Sequence, residues 1–507
     1  MGALPQDIAW HSEVGRVVPN APFGFAATRN RRAVHMTPSS HYDAIIIGAG
    51  MSGLAAGIRL AHFGKRVVIL ERHNAIGGLN SFYSIDGRRY DVGLHAMTNF
   101  VPPDVKGTPL GKILRQLRID RDELDLCPQL RSFVRFPDVE LAFTNDIAVL
   151  ESEVARAFPA QVDDFRALLA DIREFDDTTT ERCTLMAREL IRRRITDPLL
   201  EDMILCPVLY YGSAQERDVD ALQFVIMFKS IFLEGFARPF EGVRVVLRVL
   251  ADRYRSSGGE RRMKCGVSRL IVGGGSVRGV ELESGETLTG DVVLSSAGAV
   301  ETLRLCSDQP AHTRDEAIGR LSFIETIQVL NVQPADLGWN ETIVFFNDSE
   351  CLHYERPAGQ VDVRSGVICM PNNFDFGDRR MEEGIVRVTC LANYDLWHAL
   401  PEAEYRGDKT RWFAEAALSA QRFLAPVDAR QLAAATLATD MFTPRTITTF
   451  TSHLSGAIYG APEKVRDGRT PYSNLFICGT DQGYLGIIGA MLSGITIANQ
   501  HGLKSVP

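Results

Sequence analysis

Three closely spaced glycines, Gly48, Gly50 and Gly53, form the pattern in this chain that most directly indicates chemistry. In a G-x-G-x-x-G run the first glycine allows a tight turn, the second lets the backbone approach a pyrophosphate, and the third lets a helix pack closely on a strand. The N-terminus of that helix offers free N–H groups to a phosphate. Glu71 follows at about the 20-residue distance at which an acidic side chain binds ribose hydroxyls. These four residues together predict a dinucleotide site.

The residues around the glycines have the pattern of a strand, a helix and a second strand. Residues 42–47 are apolar and rich in β-branched side chains, as in a buried parallel strand. Residues 52–63 have the pattern of a helix that ends before Gly64, and residues 66–70 form a second apolar strand leading into Glu71. A lone G-x-G-x-x-G is weak evidence, but here the flanking elements and the acid are all present.

Further motifs indicate the kind of dinucleotide by resemblance. Gly77 and Gly78 follow the second strand, and residues 87–93 (GRRYDVG) come shortly after them. Residues 258–294 have the pattern of a β-meander, and residues 474–478 (NLFIC) form an apolar strand followed by G-T-D and a glycine-spaced helix. These motifs, at both ends and in the middle of the chain, resemble those of the flavin amine oxidase and phytoene desaturase superfamily.

The resemblance implies a non-covalently bound FAD and the residues that contact it. The second glycine pair would wrap the diphosphate, the meander would hold the adenine near Val267, and the C-terminal strand and helix would cover the ribityl chain and pyrimidine edge. Cys478, inside the apolar strand, is expected to be a buried structural cysteine and not a covalent flavin attachment point. The expected cofactor contacts are Gly48, Gly50, Met51, Ser52, Gly53, Glu71, Arg72, Gly77, Gly78, Leu79, Asn80, Gly93, Leu94, His95, Val267, Gly479, Asp481, Ile488, Gly489 and Met491.

Within the superfamily, the chain is most similar to the branch of phytoene desaturases and carotenoid isomerases. Residues 442–446 (FTPRT) and 456–460 (GAIYG) have the pattern of that branch, as do residues 197–199 (DPL) and 209–212 (LYYG). Residues 478–485 depart from it, because the Gly-Asp or Ala-Gly and the His-Pro or Phe-Pro expected near the flavin ring are replaced. The departure leaves the FAD prediction intact, but it leaves the substrate and the reaction open.

The resemblance also implies an α/β fold whose domains are interleaved along the chain. A Rossmann-like FAD-binding domain of the glutathione reductase type would be assembled from residues 40–100, 236–300 and 440–507. An α+β substrate domain would come from two insertions, a helical one at 101–235 and one with a sheet and helices at 301–439. In these insertions, apolar periodicity predicts tunnel walls made of helices at 151–158, 162–175 and 180–194 and strands at 326–332, 342–346 and 384–391.

Two segments of the first insertion allow more than one role. Residues 222–233 form its most apolar run, which is expected to be a buried helix, with a membrane contact at the tunnel mouth as the alternative. Arg182, Arg188 and residues 192–194 form a basic patch, and such patches are most commonly solvated helix faces. The alternatives for this patch are contact with anionic lipid and docking of an acidic acyl carrier protein.

The composition limits the class of protein. The chain has 507 residues, of which 45% are hydrophobic and 23% charged, as is ordinary for a soluble globular protein. A net charge of −8 argues against a nucleic-acid partner. The nine cysteines are scattered without C-x-x-C or zinc spacing, so no metal and no disulfide framework are predicted, and a cytoplasmic location is expected. Residues 1–39 lack the apolar core of a secretory signal and are predicted to be an N-terminal extension.

His95 is the candidate catalytic residue. In the family the chain passes the flavin at this motif, so its imidazole would polarise the ring or carry a proton. A histidine hydrogen-bonded to the backbone is an equal alternative. Tyr459 and Tyr484 are expected to pack in the wall in preference to stacking on the ring.

The predicted activity is that of an FAD-dependent oxidoreductase acting on C–C or C=C bonds of a long apolar chain, by hydride transfer to flavin N5. Desaturation and cis–trans isomerisation of a carotenoid- or isoprenoid-like polyene are both open. The alternatives are a flavin amine oxidase, a desaturase of a carrier-bound acyl chain, and a non-catalytic prenyl- or lipid-binding relative such as the Rab GDP-dissociation inhibitors. The intact glycine set and Glu71 argue against the last of these. The expected partner is an apolar small molecule, with peripheral membrane contact as an open alternative.

Overall fold

The computed structural model describes residues 41–93, 95–177, 179 and 181–503. Leu94 and the predicted extension at residues 1–39 lie outside the described residues. The helices of the described part are α1 (Met51–His62), α2 (Pro109–Leu117), α3 (Ile147–Ala157), α4 (Val162–Glu174), α5 (Ala187–Arg192), α6 (Pro198–Gly212), α7 (Ala221–Phe228), α8 (Val243–Ser256), α9 (Ala299–Leu305), α10 (Tyr394–His398), α11 (Glu402–Gln421), α12 (Ala429–Ala435), α13 (Pro444–Thr451) and α14 (Gly486–Ile497).

The strands come in groups that alternate with these helices. They are β1 (His41–Ile47), β2 (Val67–Glu71), β3 (Phe82–Ile85), β4 (Arg88–Asp91), β5 (Leu126–Pro128), β6 (Ser132–Phe136), β7 (Val139–Phe143), β8 (Ala237–Pro239), β9 (Glu260–Met263), β10 (Val267–Gly273), β11 (Ser276–Leu282), β12 (Thr287–Ser295), β13 (Ser322–Leu330), β14 (Ile343–Asn347), β15 (Val361–Cys369), β16 (Gly384–Ala392), β17 (Thr436–Phe442) and β18 (Leu475–Ile477).

The first sheet has the order β10-β11-β12-β1-β2-β9, and β18 pairs with β12. The pairs of β1 with β12, β1 with β2, β2 with β9 and β12 with β18 are parallel, whereas β10, β11 and β12 form an antiparallel meander. Ala44, Ile45 and Ile46 are fully buried, because helices and the meander cover both faces of the parallel strands. α1 packs against α8 and α14. This architecture confirms the predicted Rossmann-like α/β fold.

The second sheet has the order β17-β13-β16-β15-β14-β6-β7. Its neighbouring strands are antiparallel except for β14 and β6. Helices α4 to α7 share one core with it, and α11 and α12 contribute to a core on the other side. Strands β13, β14 and β16 lie where the sequence predicts strands, and α3 and α4 lie where it predicts helices. The first insertion also supplies β6 and β7, which the prediction of a helical segment did not include.

The predicted helix at 180–194 is too long. The structure begins α5 only at Ala187. The preceding residues are extended, because the Ala187 N–H donates to the Val219 carbonyl and the Leu185 carbonyl accepts from the Ala221 N–H. Pairing with a neighbouring segment thus replaces the helical hydrogen bonds that the apolar spacing suggested.

The apolar run at 222–233 is a buried element. It forms α7 and a π-helical turn at Lys229–Leu233, and Phe224, Phe228 and Ile231 are fully buried. An apolar face that is buried in the core cannot contact a membrane, so the structure supports the buried-helix interpretation. Within the described residues, no helix has both the length and the apolar character needed to cross a bilayer.

The arginines of the basic patch are neutralised within the chain. A patch that is to dock an acidic carrier protein must keep its charge available, and ion pairs remove it. The pairs are Arg182 with Glu463, Arg188 with Glu201 and Asp202, Arg192 with Glu201, Arg193 with Glu189, and Arg194 with Asp171.

Candidate cofactor and substrate site

The first glycine run forms a tight turn between β1 and α1. Gly48 has a φ of +96°, and a Cβ on it would lie 2.4 Å from the hydroxyl oxygen of Ser296. A Cβ on Gly53 would lie 2.1 Å from the Gly48 carbonyl oxygen, so only glycine allows α1 to start this close to the turn. α1 begins at Met51 without a side-chain cap and without an acidic residue in its first turn. Its first N–H groups therefore point to a site that suits a phosphate.

Glu71 lies at the end of β2 beside this turn. One carboxylate oxygen accepts from the Ala49 N–H at 2.8 Å, and the other accepts from the His73 N–H at 2.9 Å. Each oxygen keeps a second lone pair, because a carboxylate has about four acceptor positions. The carboxylate is thus held rigidly and can still accept from ribose hydroxyls.

The second glycine pair completes a cradle opposite the first. Gly77 pairs with Gly50 in an isolated parallel bridge, and the two glycines have φ values of +111° and −73°. Gly78 and Gly93 also have positive φ, and a Cβ on Gly93 would lie 2.5 Å from the Leu79 carbonyl oxygen. Backbone groups without side chains thus line both sides of the cradle, as the close approach of a diphosphate requires.

A single cavity of about 880 Å³ contains this cradle and extends from it between the two sheets. Its inner end is a chamber with mainly apolar and aromatic walls, which include Tyr210, Phe323, Val367, Ile458 and Tyr459. Of the predicted contact residues, those on the wall are Gly48, Gly50, Met51, Ser52, Glu71, Arg72, Gly77, Gly78, Leu79, Asn80, Gly93, His95, Val267 and Gly479. The structure therefore brings together residues from all three segments that were predicted to bind FAD.

Asp481 differs from its predicted role. Its two carboxylate oxygens accept from the Ala461 N–H at 2.8 Å and from the Ala299 N–H at 2.6 Å, and the residue is only 2% exposed. The carboxylate therefore joins three segments of backbone and does not line the cavity. Leu94, which was also predicted to contact the cofactor, lies outside the described residues.

The C-terminal helix presents a different face to the cavity from the predicted one. Gly486, Ile487 and Ala490 of α14 line the wall. Ile488 and Met491 are buried in the core around α1, and the Cα of Gly489 packs on Tyr484. Helical residues at i and i+4 share a face, as Gly486 and Ala490 do. The predicted residues Ile488 and Met491 lie on a different face of α14.

The remaining predicted residues have packing roles. Gly53 supports the turn from behind, as described above. Tyr459 lies in the chamber wall and donates its hydroxyl to the Tyr210 carbonyl, whereas Tyr484 lies off the wall. Cys478 is buried, and burial raises the pKa of its thiol to about 12. A thiol of this kind is inert, as the sequence prediction of a structural cysteine requires.

His95 lies where the cradle opens into the chamber. Its Nε2 is 2.8 Å from Glu325 Oε1 and 3.1 Å from the hydroxyl oxygen of Thr389. Glu325 in turn lies 2.7 Å from Nε of Arg387, and both side chains are buried. Burial alone would raise the pKa of Glu325, but the charge of Arg387 and the hydrogen bond with His95 outweigh it and bring the pKa to about 2. His95 is therefore bonded to an ionised carboxylate and not to backbone.

Glu325, Arg387 and Thr389 surround His95 in the candidate site and were not predicted from the sequence. Each is a polar residue inside an apolar strand, in SFIETIQVL for β13 and in GIVRVTCLA for β16. A buried charge is costly unless it is paired, so charged residues inside two such runs are the signal for an ion pair across strands.

The fold and the cradle place the chain in the class of Rossmann-type nucleotide-binding enzymes. A family model described as an NAD(P)-binding Rossmann-like domain matches residues 46–108. These residues include the G-x-G-x-x-G run, the pair Gly77 and Gly78, and Glu71.

Comparison with known proteins then gives particular relatives. The chain is 22% identical over 524 residues to prolycopene isomerase 2, chloroplastic, of an Oncidium hybrid cultivar, covering 95% of this chain and 87% of the relative. It is 26% identical over 310 residues to the neurosporene-forming phytoene desaturase of Cereibacter sphaeroides, covering 54% of this chain and 57% of the relative. These similarities confirm the resemblance seen in the motifs, and the chain is an oxidoreductase-type enzyme related to phytoene desaturases.

Solved structures share the fold. Putrescine oxidase, solved with putrescine bound, has a TM-score of 0.60 at 16% identity, over 90% of this chain and 98% of that one. A fatty acid isomerase from P. acnes that produces CLA has a TM-score of 0.55 at 15% identity, over 91% and 99% of the two chains. The cradle of this chain, with its bare glycine backbone, uncapped helix and ribose-type carboxylate, fits a cofactor of the flavin type.

Proposed function

We propose that this protein holds FAD non-covalently in the glycine cradle and oxidises or isomerises a long apolar polyene in the adjoining chamber. The observation that carries the proposal is the continuity of one cavity from the diphosphate cradle to a chamber with mainly apolar walls. A cofactor bound along the cradle would place its reactive end at the chamber, next to His95. When bound, the flavin supplies a hydride acceptor at N5.

The chamber supports a hydrocarbon substrate. Phe323 and Val367 of the second sheet and Ile458 after α13 are among the side chains that face it. A polyene has only apolar surface to offer, and burying that surface contributes roughly 25 cal/mol per Å². The same walls exclude water from the reacting carbons. The relatives that act on prolycopene and phytoene by name favour the same substrate class.

An amine substrate is less well supported. An amine cation is held most strongly by an unpaired carboxylate, and Glu325 is the carboxylate closest to His95 in the chamber wall. That carboxylate is already neutralised by Arg387 at 2.7 Å. A carrier-bound acyl chain was suggested by the basic patch. The arginines of that patch form ion pairs within the protein, so the patch no longer favours this substrate. A cytoplasmic location stays a prediction, and peripheral membrane contact stays an open alternative.

The test offers the flavin-loaded protein three substrates under anaerobic conditions: a C40 polyene, a C30 polyene and a polyamine. Desaturation is expected to bleach the flavin and to give a polyene with one more double bond, whereas isomerisation changes double-bond geometry and leaves the flavin oxidised at the end. Chromatography of the extracted polyene separates the two reactions. Oxidation of the polyamine alone, or no change with any substrate, would refute the proposal.

A matched pair of variants locates the reaction in the chamber. Ile458→Trp fills the chamber wall without touching the cradle, and it is expected to abolish polyene turnover while flavin stays bound. Leu437→Trp makes the same kind of change on the exposed side of β17, away from the cavity, and is expected to leave turnover unchanged.

A further inference from the structure

We infer that Glu325 and Arg387 are positioning residues that hold His95 with its proton on Nε2, so that Nδ1 faces the chamber as a proton acceptor. This inference rests on the proposed function and assigns the acid–base part of the same site.

The orientation of the imidazole is set by contacts from two strands. Nε2 lies 2.8 Å from Glu325 Oε1 on β13 and 3.1 Å from the hydroxyl oxygen of Thr389 on β16. Arg387, also on β16, lies 2.7 Å from the same Glu325 oxygen and donates to the Asp91 carbonyl at 3.0 Å. Both strands belong to a well-paired sheet, so the imidazole cannot rotate without breaking these contacts.

The chemistry of the partners decides which nitrogen carries the proton. An ionised carboxylate only accepts hydrogen bonds. Glu325 is ionised at neutral pH, because Arg387 and His95 hold its pKa far below the ordinary value despite its burial. Nε2 must therefore be the protonated nitrogen.

Two buried ion pairs lie around His95. The cations Arg387 and Arg238 face the anions Glu325 and Asp91, with Arg238 3.1 Å from Asp91 and Arg387 2.7 Å from Glu325. Arg244 of α8 adds positive charge near Asp91. The groups that approach His95 from other elements, Tyr211 of α6 and Cys369 of β15, are neutral because burial raises the pKa of both.

An imidazole that carries its one proton on Nε2 keeps a lone pair on Nδ1. Among the residues that the structure describes, none forms a hydrogen bond with Nδ1, and the ring lies on the cavity wall with 13% of its side chain exposed. The substrate chamber is the space that this lone pair can reach.

In a desaturation, His95 Nδ1 would accept a proton from the carbon next to the one that gives up a hydride. The electron pair of that second C–H bond becomes the new π bond. A bound flavin would supply the two-electron acceptor for the hydride. The imidazolium formed lies against the Glu325 carboxylate, which stabilises it until the proton leaves to solvent.

The first test reads the tautomer directly, without turnover. Two-bond ¹H–¹⁵N spectra of the ¹⁵N-histidine-labelled protein with oxidised cofactor distinguish the two neutral tautomers, and His95→Asn assigns the signal. We expect the wild type to show the Nε2–H form. Glu325→Leu is expected to give a mixture of both tautomers, because no carboxylate then accepts from Nε2. An Nδ1–H signal in the wild type, or an unchanged pure Nε2–H signal in Glu325→Leu, would overturn the inference.

The second test separates positioning from structure. Glu325→Gln should lower kcat for the polyene by about a hundredfold or more, the range of general acid–base catalysis, with KM little changed. Glu325→Asp should restore part of kcat. The control is Glu341→Gln, which alters another buried carboxylate paired with an arginine, Arg135 at 2.8 Å, away from the cavity. A kcat for Glu325→Gln equal to the control would overturn the inference. Failure of every substrate in the wild type would instead refute the proposed function, and the tautomer spectrum would still decide the inference.

Discussion

Glu325 is a carboxylate inside an apolar strand. Its partners stabilise the ionised form more than burial destabilises it. Its pKa is lowered from 4.5 to about 2, against the effect of burial, by Arg387 and His95. A group with a lowered folded-state pKa contributes stability that is complete above the unfolded-state pKa and disappears as the pH falls through the folded-state pKa. The window for Glu325 therefore runs from pH 4.5 down to about 2.

The free energy of unfolding of Glu325→Gln relative to wild type should follow this window. The deficit of the variant should be constant above about pH 5 and shrink by about 3 kcal/mol as the pH falls toward 2, since each pKa unit corresponds to about 1.4 kcal/mol. Urea unfolding at several pH values measures it. Glu415→Gln, on the exposed face of α11, is the control and should show no such change. A deficit for Glu325→Gln that is independent of pH would contradict the pairing.

The sequence predicts some residues of the candidate site and gives no signal for the partners of others. The roles of Gly48, Gly50 and Gly53 follow from contacts within one turn, so spacing alone predicts them. The partnership of His95, Glu325 and Arg387 depends on strand pairing between segments far apart in the chain, and no local pattern contains that information. The charged residues within apolar runs signal only that some partner must exist.

α14 packs against α1, so the last of the described helices contacts the first. A Cβ on Gly494 would lie 2.0 Å from the Ser52 carbonyl oxygen, at the start of α1 behind the cradle. The glycine spacing of the C-terminal helix is visible in the sequence, and in the structure it allows α14 to pack closely on α1. The rotation of the helix was not predictable, because Ile488 and Ala490 are both apolar and the choice between them depends on what α14 packs against.

Gly494→Ala should therefore destabilise the protein and weaken flavin binding together. Overpacking typically costs about 1–3 kcal/mol, and here the displaced atoms are backbone of the cradle helix. The control is Gly407→Ala in the exposed part of α11, where a Cβ meets nothing within 4 Å. That variant should gain roughly 0.5–1 kcal/mol from helix propensity. Thermal unfolding and flavin titration of both variants measure the effects, and an unaffected Gly494→Ala would contradict the close contact.

At the scale of the whole molecule, the cavity exists because two sheets are built from interleaved segments. The parallel sheet supplies the cradle at the carboxyl ends of β1 and β2, and the antiparallel sheet supplies the chamber wall through β13, β15 and β16. The resemblance of the motifs predicted interleaved segments, and their roles as a cofactor part and a substrate part stay predictions. It did not predict that β6 and β7 of the first insertion extend the second sheet, because their short runs are followed by long stretches of helical spacing.

The proposed function depends on a flavin that the cradle holds without a covalent bond. The most direct measurement is the visible absorption spectrum of the purified protein and of the supernatant after denaturation, for wild type, Gly50→Asp and Gly359→Asp. Gly50 has an ordinary φ of −73° and room for a Cβ, so Gly50→Asp chiefly adds a negative charge where the diphosphate would lie. Gly359 is an exposed loop glycine with open space around it.

We expect yellow flavin bands in wild type and Gly359→Asp that pass into the supernatant as FAD, and we expect these bands to be lost in Gly50→Asp. Bands that stay with the precipitated chain, bands that survive in Gly50→Asp, or a wild type that binds no flavin after FAD is added would contradict it.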